Sequence, residues 1–286
     1  MNGRNLSINV GGRLMDFARP RVMGILNVTS DSFFSDSRKL TEKDILERAR
    51  EIVEQGGDII DVGACSTRPG AMPVSAEEES ERLSFALNII RRELGDEVPV
   101  SVDTFRADVA RMCVSEFGAD IINDISAGDA DADMFRAVAE LRVPYVLMHM
   151  QGTPADMQVN PHYDDLFREV FSFFESKVEQ LRELGVNDII LDPGFGFGKT
   201  IDHNYRLLAH LEEFDAFGLP LLVGVSRKSM IYRLLGVSPQ DALNGTTVLD
   251  TVAVEKGADI LRVHDVRQAV EVVTIITKLN ENRDVY

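Results

Sequence analysis

Two hydrophobic patterns alternate along the chain from residue 22 onward. Short apolar runs recur at 22–28, 59–62, 98–102, 121–123, 145–148, 189–191, 221–225 and 260–263. Runs of this kind suit strands buried on both faces, as in a parallel sheet. Between them the apolar residues take helical spacing. Ile45, Ala49, Ile52 and Val53 share one face, with Thr41 and Asp44 opening that helix. Leu83, Leu87, Ile90 and Leu94 share another, behind a Ser75–Glu78 capping pair. Ser238-Pro239 reads as an N-cap followed by proline at the first helical position. Val266, Ala269, Val270, Val273 and Ile276 give the last helix its stripe. A weak repeat ties the units together: EQGGDIIDV (54–62), EFGADIIND (116–124), ELGVNDIILD (183–192) and EKGADILRV (255–263). Each puts glycine just past a helix end, where a left-handed backbone is wanted, and starts a strand almost at once. Eight strand runs with helices between them predict one TIM (β/α)8 barrel over 21–286, with a doubly wound sheet as runner-up. Ahead of it, Leu6, Ile8 and Val10, then Gly11-Gly12, then Leu14, Met15 and Phe17 predict an N-terminal hairpin over 1–20, packed on the barrel floor.

Composition narrows the function. The 286 residues are 44% hydrophobic, enough for one large α/β domain. A formal net charge of -17 without a basic stripe argues against nucleic acid as a partner. A chain so acidic must gather its few cations wherever it binds an anion. Cys65 and Cys113 show no ligand spacing, and no apolar run is long enough for a leader or a membrane span. The expectation is a cytoplasmic protein with no membrane contact and no disulfide framework.

Barrel enzymes work at the C-terminal ends of their strands. Here those ends carry Asn27; Asp61, followed by Thr67 and Arg68; Asp103; Asn123 and Asp124; Met148 and His149; Asp192; Ser226, Arg227 and Lys228; and Arg262 and His264. The opposite ends carry no comparable set. The most telling stretch is DIILDPGFGFGK, 188–199. An apolar strand meets Asp192, Pro193 stops it, and three glycines let backbone come close to a neighbour. It is not a nucleotide P-loop, because Pro193 stands where that motif needs glycine. Asp103 and Asp192 accept hydrogen bonds and Asn123 does both, a set that suits the amino-pyrimidinone edge of a flat heterocycle. Met148 and Phe197 suit its faces. Arg262, His264 and Arg68 suit an oxyanion such as phosphate. Asn27 offers a hard oxygen fit for Mg²⁺ that keeps most of its waters. Structural roles stay open for Asp61, bonded to backbone or to Arg68, and for Asp124, His149 and Met148.

The segments NVTSDSFFSD, STRPG, SVDT, IINDISAG, LMHMQGTP, LDPGFGFGK, GVSRKS and RVHD resemble, in order, the signature segments of the dihydropteroate synthase family. The likeness runs from about Val22 to the end of the chain. It implies a barrel, usually a homodimer, acting in folate synthesis and targeted by sulfonamides. The implied reaction joins 6-hydroxymethyl-7,8-dihydropterin pyrophosphate to para-aminobenzoate, giving 7,8-dihydropteroate and pyrophosphate. The resemblance assigns Asp103, Asn123, Met148, Asp192, Phe197, Gly224 and Lys228 to the pterin. It assigns Thr67, Arg262 and His264 to pyrophosphate, and Asn27 to Mg²⁺. Phe33 and Asp36 fall in a first mobile loop, and Thr67, Arg68 and Pro69 in a second. Lys228 and Ser229 fall beside the para-aminobenzoate carboxylate. The first loop departs from the family pattern at Ser30 and Phe34, and the second at Cys65. The expected chemistry is dissociative, with pyrophosphate leaving before the weak arylamine attacks. The rival readings are a pterin-binding methyltransferase, which should lack GVSRKS and RVH, and a non-catalytic pterin-binding module, which would need no leaving-group cations.

Overall fold

The computed structural model describes residues 6–28, 38–65, 74–153 and 156–282. Strands β1 (Ser7–Val10) and β2 (Arg13–Asp16) form an antiparallel hairpin around Gly11 and Gly12, both at positive φ. Eight parallel strands follow: β3 (Arg21–Asn27), β4 (Ile59–Gly63), β5 (Val100–Asp103), β6 (Ile121–Asp124), β7 (Tyr145–Met148), β8 (Ile189–Asp192), β9 (Leu222–Val223) and β10 (Ile260–Val263). Their spatial order is β8-β7-β6-β5-β4-β3-β10-β9. The two ends of that order meet, because Leu191 bridges Leu221 in parallel and its N–H donates to the Pro220 carbonyl at 2.8 Å. The sheet is therefore a barrel and not a doubly wound layer.

The strands fall where the apolar runs predict them, with instructive differences at their ends. β5, β6 and β8 each keep one more polar residue, Asp103, Asp124 and Asp192, in the ladder. β9 is shorter than 221–225, since the Lys228 N–H closes a turn on the Val225 carbonyl (3.1 Å) and draws the chain out of the sheet.

The helices are α1 (Arg38–Glu54), α2 (Ala76–Leu94), α3 (Ala107–Phe117), α4 (Met134–Leu141), α5 (Leu166–Glu183), α6 (Ile201–Ala209), α7 (Ser229–Leu235), α8 (Leu243–Glu255) and α9 (Val266–Glu281). Ser75 caps α2, its hydroxyl accepting the Glu78 N–H at 3.2 Å. Two predicted starts are corrected. α1 begins at Arg38, ahead of Thr41 and Asp44. Ser238-Pro239 does not open α8; Ser238 Oγ donates to Asp241 at 2.6 Å and the segment forms a separate turn. No described helix is long and apolar enough to cross a membrane.

Side chains on a strand alternate between faces, and here each face has its own core. Outward residues such as Ile60, Val62, Ile122, Leu147, Ile189, Leu191 and Leu261 pack under the helices. Inward residues Met23, Ile59, Ile121, Val146, Ile190, Leu222 and Ile260 fill the barrel floor, where Ile8, Val10 and Phe17 of the N-terminal segment join them. The hairpin thus supplies part of the floor's packing. Ile8→Ala is expected to lower the unfolding free energy by about 2–5 kcal/mol, the usual cost of such a core truncation, read from urea melts.

Candidate active site

The same alternation builds the site. Two residues beyond each floor residue the side chain points inward again, one layer nearer the C-terminal mouth. From Ile59 the next inward residue is Asp61; from Ser101, Asp103; from Ile121, Asn123; from Val146, Met148; from Ile190, Asp192; from Leu222, Gly224; from Ile260, Arg262. Met23 leads through Ile25 to Asn27, an exposed residue at the end of β3. The apolar floor therefore changes to a polar ring within one layer, and the predicted pterin and pyrophosphate residues outside the undescribed loops gather there.

Arg262 is the hub of the ring. Its Nε donates to Asp61 Oδ2 at 2.7 Å, and its Nη2 to Asp103 Oδ2 at 2.8 Å. Asn123 Nδ2 reaches both Asp61 oxygens at 3.3 and 3.4 Å. The fully buried Asp61 thus pairs with Arg262 and Asn123 among the described residues, and Arg68 lies outside them. Burial works against the Arg262 charge, yet Asp61 and Asp103 hold its pKa above the ordinary value. Burial pushes the Asp103 carboxyl up to about 7; Arg262 opposes that shift and Asp61 adds to it.

Across the mouth, Asp192 Oδ1 accepts the Gly194 N–H at 2.8 Å. Burial raises its pKa, and Lys228 counters in part. Lys228 donates to the Phe195 carbonyl, and its ammonium sits 4.6 Å from the centre of the Phe197 ring. Burial pushes Lys228 down to about 8, with Asp192 opposing. Met148, 2% exposed, belongs to the same wall. Gly224 leaves the space between Arg262 and Lys228 open: a Cβ there would lie 3.8 Å from Arg262 Cβ and 3.9 Å from Lys228 Nζ. Ser229 is the first residue of α7, directly after Lys228.

His264 departs from its expected charge. Burial and Arg262 push its pKa down to about 4, so near neutral pH the ring is uncharged. Ser226 Oγ accepts the His264 backbone N–H at 3.2 Å and lies 3.1 Å from Nδ1. With the hydroxyl proton directed to Nδ1, the ring proton sits on Nε2, making that atom a donor. Asp124 and His149 serve the scaffold. Asp124 accepts from Ser126, Gly128 and Tyr145, while His149 packs on Phe173 and meets Lys199. Phe33, Asp36, Thr67, Arg68 and Pro69 lie outside the described residues.

The family model described as "Pterin binding enzyme" matches residues 23–264. The dihydropteroate synthase of Escherichia coli (strain K12) is 45% identical over 267 residues, 93% of either chain. The chain belongs to the dihydropteroate synthase family. The Bacillus subtilis (strain 168) member is 44% identical over 250 residues, 86% of this chain and 84% of its own. Yersinia pestis dihydropteroate synthase, solved with a sulfonamide drug complex, superposes with a TM-score of 0.89 at 41% identity, covering 97% of this chain and 100% of its own. The Xanthomonas albilineans enzyme, solved with 4-aminobenzoic acid, gives 0.87 at 38% identity, over 96% and 98%. The activity is accordingly that of a dihydropteroate synthase, a transferase, which sets aside the methyltransferase and the non-catalytic module.

Two residues at the mouth escaped the sequence reading. Arg48 of α1 donates to the carbonyls of Ile25 (3.2 Å) and His264 (2.6 Å), fixing the ends of β3 and β10 against each other. Lys199, last letter of the glycine-rich stretch, is 3% exposed and bonded inside the wall. Arg48 left no signal beyond a polar residue on an amphipathic helix. Lys199 did leave one, since a lysine closing a glycine loop needs acceptors.

The position of Asp103 sets a pH dependence. Its folded-state pKa of about 7 lies above the ordinary carboxylate value. Its stabilising contribution is therefore present below about pH 4 and lost as pH rises through the folded value. Carboxyl NMR should show Asp103 titrating near 7, and in Arg262→Met the midpoint should move higher. In Asp103→Asn, the decline in unfolding free energy across that window should flatten.

Proposed function

We propose that the polar ring holds 6-hydroxymethyl-7,8-dihydropterin pyrophosphate, with the heterocycle inside the mouth and the phosphates toward solvent. Asp103, Asn123, Asp192 and Lys228 bond the pterin edge, and Met148 and Phe197 cover its faces, in the space that Gly224 leaves open. Arg262 and the Nε2–H of His264 bind the pyrophosphate, with Thr67 joining them. Para-aminobenzoate sits beside Lys228 and Ser229, and Phe33, Asp36, Arg68 and Pro69 contribute to its site. The observation that carries this reading is that Asp192 and Arg262, at the ends of parallel strands β8 and β10, open onto one barrel mouth.

The resemblance also implies Mg²⁺. Among the described residues no group of three or more His, Cys, Asp or Glu could hold a metal alone. What stands at the rim is Asn27, exposed, with Oδ1 3.6 Å from where a Cβ on Gly63 would lie. One neutral oxygen donor fits a hard cation that keeps its waters and takes its remaining ligands from phosphate. Asn27 would hold Mg²⁺, and the ion would supply charge neutralisation of the pyrophosphate.

The reaction we propose is dissociative. The bond between the pterin methylene carbon and the pyrophosphate oxygen breaks first, and its electron pair leaves with the pyrophosphate. Arg262 and His264 stabilise the departing charge; Asp103 and Asp192 stabilise the cation left on the ring. The para-aminobenzoate nitrogen then bonds the methylene carbon and gives up its proton. The arylamine is a weak nucleophile, which favours forming the cation before attack. Sulfonamides would compete for the para-aminobenzoate position, as the drug complex of the Yersinia pestis enzyme suggests. A homodimer is supported by Leu234, Leu235, Val248, Ile275 and Leu279, exposed on α7, α8 and α9. A cytoplasmic location agrees with two unpaired cysteines, Cys65 and Cys113.

Positional isotope exchange within the pyrophosphate, measured without para-aminobenzoate, should proceed; its absence would count against a dissociative path. Asp192→Asn is expected to lower kcat/KM by about 100- to 1,000-fold, the scale of one aimed electrostatic partner. Calorimetry should show Mg²⁺ and pyrophosphate binding together in the native protein, and more weakly in Asn27→Ala.

A further inference from the structure

The glycine-rich loop after β8 carries Phe197 and the Gly194 N–H that bonds Asp192, so its position sets one wall of the mouth. It lies unusually close to the segment after β7. A Cβ on Gly194 would come 1.9 Å from the His149 carbonyl oxygen, and one on Gly198 would come 2.3 Å from that of Gln151. Both glycines have positive φ, 69° and 61°. Two carbonyl-rich backbones brought together need a shared donor.

Lys199 is that donor. Its Nζ lies 2.9 Å from His149 Nδ1, and donates to the carbonyls of Phe197 (3.0 Å), Gly194 (3.1 Å) and His149 (3.3 Å). These four acceptors, two from each segment, surround an ammonium that has three protons to give. Burial, then Lys199 itself, pushes His149 well below its ordinary pKa, which leaves Nδ1 as a lone-pair acceptor. Burial likewise pushes Lys199 down to about 7, with Asp192 opposing and Lys228 adding to the shift. Its ammonium is committed to protein acceptors and covered from solvent. Lesser ties reinforce the same joint: Tyr163 donates to the Gly198 carbonyl at 2.8 Å and Gln158 to that of Gly196 at 2.6 Å.

We propose that Lys199 is a positioning residue, stapling the loop after β8 to the loop after β7 and so fixing Asp192 and Phe197 for the pterin. This rests on the assignment of that wall to the pterin. The effect falls mainly on the pterin: of the described residues proposed for para-aminobenzoate, Ser229 opens α7 and Lys228 alone touches the stapled loop, through the Phe195 carbonyl and the Phe197 ring.

The test is steady-state kinetics on the full chain, varying each substrate in turn. Lys199→Met cannot donate. It should raise KM for the pterin pyrophosphate about tenfold or more, while KM for para-aminobenzoate stays within about twofold. An unchanged pterin KM with only a lowered melting temperature would overturn the proposal, as would an equal rise in both KM values. Should Lys199→Met fail to fold, Tyr163→Phe loosens the same joint by one bond and should raise the pterin KM about threefold, selectively; no selective rise would again overturn it. Asp192→Asn separates the two readings. If it spares pterin binding, the assignment of the wall to pterin fails. If it weakens pterin binding while Lys199→Met does not, the staple alone fails.

Discussion

Arg262 between Asp61 and Asp103 is the interaction on which the mouth of this barrel depends. A guanidinium taken out of water is tolerated only when its donors are met, and these two carboxylates meet them from β4 and β5 while Arg262 itself sits on β10. The consecutive strands β4 and β5 are thereby joined to the sequence-distant β10 above the floor. Removing the cation would leave two carboxylates buried together, a situation that typically costs about 3–5 kcal/mol. Burial, with these neighbours, sets the charges here: it lifts the Asp103 pKa toward neutrality against the pull of Arg262, and together with Arg262 it keeps His264 uncharged.

The ring owes its position to the period of a β-strand. Asp61, Asp103, Asn123, Asp192 and Arg262 each stand two residues beyond an inward residue, so one change of composition along each strand, repeated around the barrel, turns an apolar plug into a polar mouth. That is why so much was legible beforehand. Buried parallel strands read as apolar runs, and the first polar residues after them could be taken as the working face by a rule general to barrels. The hairpin was legible from Gly11-Gly12, and the start of α2 from Ser75.

What was not legible has physical causes of its own. Partner choice within the ring depends on which side chains converge in space; nothing around Asp61 in the sequence points to Arg262, on a distant strand, as its partner. The His264 charge depends on burial and on a neighbouring guanidinium, neither visible in RVHD. Helix starts were misplaced where a local signal had another use: Ser238 satisfies Asp241 in a turn instead of capping a helix. Arg48 lies far along the chain from both strand ends it secures, and nothing local marks it.

The electrostatics of the mouth are a matter of ordering, not of net charge. The chain carries -17 overall, yet Lys199, Lys228 and Arg262 stand against Asp61, Asp103 and Asp192 in one small volume. Each cation has a different commitment. Lys199 is spent on backbone acceptors, Lys228 shares itself between the Phe195 carbonyl and the Phe197 ring, and Arg262 is held by two acids. On the proposed function, an arriving pyrophosphate competes with Asp103 for Arg262, and any donor bond Asp103 loses there can be replaced by the pterin's own amino edge. The two halves of one substrate would then be read together: the phosphates draw on the cation that the acid gives up, and the heterocycle supplies what the acid then lacks.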